Sequence, residues 1–212
     1  MVRVTRVSLS VVLVAMICAC ATAVPTWQTD PLGQPPTTYQ LWTFDDNTNP
    51  AVPKPGDVEN AYGSPVARLE GQGTGDETFG WYRTYDGRDG VWHAEALTII
   101  LTIPNRPDPD AYKEIWVSAI IQGLVTAAHV TPIPAGDAVI PLGQTLTDIG
   151  GGWSRLDIGW RVEPNPSSEI ICMALYGTGG SIDRLEVHTI CVPEPATVFL
   201  LGAGALLLRR RR

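Results

Sequence analysis

The feature that most constrains the fold is a period of two. In WSRLDIGWRV, residues 153–162, Leu156, Ile158, Trp160 and Val162 fall on one face, with Arg155, Asp157 and Arg161 on the other. That spacing fits a half-buried β-strand and no helix. KEIWVSAIIQ (113–122) repeats it with Ile115, Val117, Ala119 and Ile121, while YQLWTFD (39–45) and FGWYRTY (79–85) are aromatic and alternating. ALTIILTI (96–103) is nearly all β-branched or leucine and stops at Pro104. LVTAAHV (124–130) follows Gly123 as the hairpin partner of 113–122, and EIICMALYG (169–177) and SIDRLEVHTI (181–190) close the set, separated by a turn at Gly177–Ser181. About eight short strands with Gly/Pro punctuation, and no sustained 3.6-residue period, predict an all-β antiparallel β-sandwich over residues 39–191. The stretch before it, 24–38, is rich in proline and polar residues and reads as a linker or edge segment.

Both ends differ from this pattern. Arg3 and Arg6 precede an apolar run from Val7 to Ile17, and Ala21 and Ala23 form a small-x-small cleavage site, so residues 1–23 read as a signal peptide. A lipoprotein route through Cys20 is the competing processing. At the other end, Val192, Pro193, Glu194 and Pro195 lead into thirteen apolar or small residues, 196–208, and then Arg209, Arg210, Arg211 and Arg212. As a helix that segment is about 20 Å long against a hydrocarbon core of about 30 Å, a short membrane span that snorkelling arginines can complete as a stop.

The order of tripeptide, span and arginines resembles the PEP-CTERM sorting signal. The resemblance covers about a tenth of the chain. It implies export, a precursor anchored in the inner membrane by its C-terminal helix, cleavage near Pro-Glu-Pro by an exosortase, and delivery to the cell surface or extracellular matrix alongside exopolysaccharide. SIDRLEVHT also resembles the closing strand of jelly-roll domains of the galactose-binding or carbohydrate-binding type, through Ile182, Asp183, Leu185 and Val187. It implies a jelly-roll-like arrangement.

Residues 24–192 hold 21 acidic and 9 basic side chains, a balance of 9 − 21 = −12. Such a domain repels phosphate backbones, which argues against nucleic acid as a partner. Two cysteines remain in this span, Cys172 and Cys191, and an exported chain can pair them as a disulfide. Asp45, Asn47 and Asn49 have the alternate oxygen spacing of a calcium loop, but Pro50 stands where the sharp turn needs glycine, so an Asx-rich turn is the plainer reading. No cofactor is expected beyond such a structural ion.

His93, His129 and His188 are scattered and no nucleophile elbow occurs, so nothing positive points to an enzyme. The seven tryptophans can fill a core, as Trp42 and Trp160 do by alternation, or present flat faces to sugars. Trp81, Tyr82, Tyr85 and Trp92 flank a polar turn and form the candidate glycan contact. The expected function is therefore a non-enzymatic surface or matrix module associated with exopolysaccharide. Two rivals make different demands. A carbohydrate-binding module needs exposed coplanar rings, and a secreted glycan hydrolase needs two carboxylates about 5–10 Å apart in a cleft.

Overall fold

The structure, a computed structural model, describes residues 37–75, 78–105 and 112–192. Nine strands form one antiparallel sheet: β1 (Thr37–Trp42), β2 (Val58–Glu59), β3 (Val66–Gln72), β4 (Gly80–Tyr85), β5 (Arg88–Pro104), β6 (Tyr112–Ile133), β7 (Ala138–Gly150), β8 (Trp153–Glu163) and β9 (Ser168–Val192). No α-helix occurs among the described residues.

The sheet folds over on itself because β6 and β9 are long and pair along nearly their whole lengths, from Tyr112↔Val192 to Ile133↔Ser168. On its other edge β9 takes two partners. Residues 168–182 pair with β5, and 185–190 pair with β1. The first layer thus runs β2-β1-β9-β6-β8-β7, using residues 113–121 of β6. The second layer is β3-β5-β9-β6, with β4 beside the start of β5. Strands that bend from one layer into the other are the standard way to turn a sandwich corner.

The corner has identifiable devices. Register shifts occur in β6 at Ile120/Ile121, Gln122/Leu124 and Val125/Ala127, and in β5 at Ala94/Ala96. Such bulges bend a strand and steepen its twist. Gly123 lies between them at φ +101°, and a Cβ there would stand 2.7 Å from the carbonyl oxygen of Gly179. Only glycine satisfies both the backbone and the close crossing.

Alternation fills the space between the layers. Ile115, Val117, Ala119 and Ile121 of β6, and Leu156, Ile158, Trp160 and Val162 of β8, are buried from the first layer. Leu97, Ile99, Leu101 and Ile103 of β5, with Ile171, Met173 and Leu175 of β9, meet them in the same cluster. Each such aliphatic side chain stabilises the fold by ~1.5–3 kcal/mol relative to exposure. Away from the corner, Lys113 of layer one reaches Glu169 of layer two at 2.6 Å, with neither side chain exposed. Nearby, Asn105 and Asn165 accept from the Cys191 thiol at 3.4 and 3.7 Å.

The antiparallel sandwich predicted from period two is present, but three local readings change. Residues 124–130 do not return as a hairpin beside 113–122; both belong to β6 and lie in opposite layers. The segments 169–177 and 181–190 are likewise one strand, β9. A Gly-rich interruption looks the same in sequence whether it reverses the chain or bends it over a core. The third change is the disulfide: Cys172 and Cys191 are not bridged to each other. Cys172 alternates with inward Ile171 and Met173 and so points outward, whereas Cys191 is buried. Opposite directions forbid the bridge. At the start of the domain, β1 takes in Thr37 and Thr38 from the segment read as linker, and the Thr38 and Thr189 hydroxyls bond at 2.6 Å.

Candidate functional site

The candidate glycan patch sits on the β4–β5 hairpin, where alternation splits it between two faces. Trp81 and Trp92 are cross-strand partners facing the core. Trp92 is only 5% exposed and stacks on Phe79 at 5.2 Å, so it presents no face to a ligand. Trp81 is half-buried and donates through Nε1 to the carbonyl of Phe44 at 2.7 Å. Phe44 itself has φ 49°, unusual for a bulky residue. A Cβ on Gly90 would meet that same carbonyl oxygen at 2.6 Å, which keeps position 90 glycine.

Tyr82 and Tyr85 cover His93. Tyr85 stacks on it at 4.4 Å and 25°, and Tyr82 meets it edge-on at 5.9 Å and 79°. The two tyrosine rings are tilted by 57°, so they make no flat platform. His93 Nδ1 lies 2.9 Å from Ser181 Oγ, and Ser181 donates to Gln122 Oε1 at 3.3 Å. Gln122 Nε2 then donates to Asp86 Oδ2 at 2.7 Å, at the hairpin tip. Ser181 is fully buried, so this chain of bonds pins the hairpin to the corner and exposes no nucleophile.

Residues 43–55 enclose a cleft of about 230 Å³ rimmed by Asp45, Asp46, Thr48, Val52 and Lys54. The calcium triplet does not assemble there. Asp45 is salt-bridged to Lys54 and accepts from Thr43, and those contacts hold its carboxyl below the usual range. Asn49 is committed to the backbone of Leu69, donating to its carbonyl at 2.7 Å and accepting from its N–H at 3.0 Å. Asn47 is exposed. The spacing belongs to an Asx-rich turn whose last amide extends the edge of β3.

A second cluster, not singled out by sequence reasoning, lies on the outer face of layer one. Tyr39, His188, Trp116 and Gly159 follow one another across four strands. Trp116 lies over Gly159 so closely that a Cβ there would collide with its ring. In the next row Glu186, Ser118 and Asp157 are successive neighbours, placing the two carboxylates about 10 Å apart at two strand spacings. Each is held by an arginine two residues away, Asp157 by Arg155 at 2.8 Å and Glu186 by Arg184 at 3.5 Å. Burial pushes the Glu186 carboxyl up, against the pull of Arg184 and Arg155. Asp157 is 8% exposed on the outer side of the sheet. The signal available in sequence was a tryptophan one strand from a mid-strand glycine, and it needs the register to be seen.

The last strand connects this domain to the sorting tail. Val192, first residue of the Val-Pro-Glu-Pro run, is also the last residue of β9 and pairs with Tyr112. Pro193, Glu194, Pro195 and Arg209–Arg212 lie outside the described residues, as do Ala21, Ala23, Trp27 and the whole of the signal segment. Among the described residues no helix is long and apolar enough to cross a membrane.

The described residues form an all-β antiparallel domain whose last strand ends on the first residue of the Val-Pro-Glu-Pro run. The PEP-CTERM protein-sorting motif matches residues 192–212, so the chain carries a tail that targets it to an exosortase. No curated protein and no solved structure matches the chain.

Proposed function

We propose that this protein is a non-enzymatic structural module, anchored in the inner membrane as a precursor, processed by an exosortase, and placed at the cell surface or in the extracellular matrix with exopolysaccharide. The observation that carries the reading is the coincidence at Val192, where the sorting motif begins on the residue that ends β9. The domain hangs directly from its processing point, as a displayed module requires. The interior supports the same reading. Trp42, Trp92, Trp153 and Trp160 are all buried, which spends the aromatic content on the core. Tyr82 and Tyr85 are the part of the hairpin patch left for contact with polysaccharide.

The test is cell fractionation of the native chain against a variant with Arg209–Arg212 replaced by glutamine, and against Glu194→Ala. The native chain is expected to leave the membrane as a shortened species recovered with surface polysaccharide. Both variants are expected to remain unprocessed or to miss the surface. Equal processing of all three forms overturns the sorting part of the reading. A glycan array with the mature protein tests the other part. Saturable binding to one glycan, lost in Tyr82→Ala or Tyr85→Ala, replaces a structural module with a lectin-like one.

A further inference from the structure

The second layer is two strands narrower than the first on the side of β8 and β7. Residues 113–121 of β6 lie between β9 and β8, but residues 124–133 pair only with β9, and no strand among the described residues takes their other edge. Leu146, cross-strand partner of the buried Leu156, is 52% exposed, and Leu124 on the edge is 65% exposed. Six of the eight exposed large apolar side chains lie on β6, β7 or the adjoining Tyr176, which pairs with Leu124.

Charge is sparse in the same region. From Glu114 to Arg155 the only charged residues are Asp137 and Asp148. The described span 37–192 as a whole holds 9 basic and 20 acidic residues, 9 − 20 = −11. Over most of the surface, then, two copies repel each other. At the β6 edge they do not.

The edge is also limited in length. Pro132 pairs with Glu169 in the ladder yet has no N–H to give, so its nitrogen faces the open side. By the two-residue alternation Ala128 and Val130 direct their N–H and C=O groups outward as well. These groups are self-complementary about an axis through His129. Antiparallel pairing of Ala128 with the partner's Val130, and of Val130 with the partner's Ala128, gives about four main-chain hydrogen bonds. Pro132 stops the pairing on one side and the bulge at Val125/Ala127 stops it on the other.

We propose that the open edge of β6, residues 127–131, is a two-fold interface with a second copy of this chain. It joins two second layers into one continuous sheet, with the exposed Leu124 of each copy just beyond an end of the paired stretch. A closed two-fold contact yields dimers and no fibre. Since a strand edge buries less than a standard stable interface, association is weak and concentration-dependent. This inference does not depend on the functional reading above.

Sedimentation velocity of the mature protein over a hundredfold concentration range tests it. A reversible monomer–dimer equilibrium is expected, strengthened by added salt because screening weakens the repulsion between acidic bodies. Thr131→Lys places two like charges beside the axis on an exposed position and is expected to weaken dimerisation at least tenfold. Ala128→Pro removes an outward donor and is expected to do the same. Val52→Glu, on an exposed loop residue outside this edge, is expected to change nothing. An unchanged thermal melt for Thr131→Lys shows that the monomer is folded, whether or not Ala128→Pro folds. A monomer at every concentration, a dimer indifferent to both edge variants, or an open-ended polymer each overturns the proposal. Loss of polysaccharide recovery with the dimer intact counts against the functional reading alone.

Discussion

The two halves of β6 belong to one strand and share one partner, β9, yet their surroundings differ. Residues 113–121 have a neighbour on each edge and alternate cleanly between core and outer face, whereas 124–133 have one neighbour among the described residues and leave Leu124, Thr126, Ala127 and Thr131 exposed. Side-chain pattern reports which face of a sheet is covered. Edge coverage depends on which strands arrive alongside, and that is a property of topology. The first half is therefore predicted to be stiff and intolerant of change, and the second to be permissive.

The largest expected effect lies where the first half begins. Lys113 and Glu169 are unexposed, and Glu169 keeps one oxygen, Oε2, without a hydrogen bond. Burial drives the Glu169 carboxyl upward even beside the Lys113 ammonium. Removing one partner strands the other without compensation, so Lys113→Met or Glu169→Gln should each cost about 3–5 kcal/mol. The double variant Lys113→Met/Glu169→Leu should recover most of that loss. Urea unfolding of the three variants checks it. If the singles cost no more than the double, the pair is not coupled and does not tie the layers together.

The next comparison is internal to the strand. Ile121 is 1% exposed and Leu124 is 65% exposed, three residues apart across the corner. Ile121→Ala should cost about 2–5 kcal/mol, and Leu124→Ala should stay within about 0.5 kcal/mol. Between them, Gly123→Ala meets a positive φ and the Gly179 carbonyl oxygen together, and about 1–3 kcal/mol is expected from the strain. Hydrogen exchange should follow the same division, with amides of 115–121 protected longer than those of 126–131. Equal protection of both halves would mean that the open edge is covered in solution.

Much of this was legible in the sequence. Alternation at 153–162 and 113–121 gave the strands and the inward residues, because burial on one face of a sheet imposes period two. Trp42 and Trp160 were read as core on that basis and are buried. The tail at 192–212 was legible because its three parts occur in a fixed order. The corner was not. Gly123 and the Gly177–Gly180 region carry the composition of hairpin turns, and only the distant pairing of 124–133 with 168–176 shows that they bend the chain over a core. The hairpin patch failed in part for a related reason. Trp81 and Trp92 occupy facing register positions on the inward side, so their closeness to a polar turn said nothing about exposure. β3 and β7 went unread because VARLEGQ and AVIPLGQTLTDIG mix glycine, proline and polar residues within strands that lie near sheet margins.

The smallest predicted effect concerns the outer face of layer one and depends on sign. Glu186 has its carboxyl raised first by burial and further by Asp157, with Arg184 and Arg155 pulling the other way. A raised value means that the folded state holds the proton more tightly than the unfolded chain, whose glutamate releases it near pH ~4.3. The stabilisation from this group is therefore complete below that pH and is lost as pH rises through the folded value. Replacing it by Glu186→Gln removes the loss, so the variant should gain on the native protein between pH 4 and 7, in step with rising pH. Glu169 is raised in the same direction and contributes to both proteins, so their difference isolates Glu186. Asp45 is shifted the opposite way, but it lies exposed beside Lys54, where solvent screens the pair. Urea midpoints of the two proteins across that range decide the matter. A native protein that instead gains on Glu186→Gln with rising pH would show that the arginines outweigh burial, making the Glu186–Ser118–Asp157 row a charged surface array and not a half-buried part of the sheet.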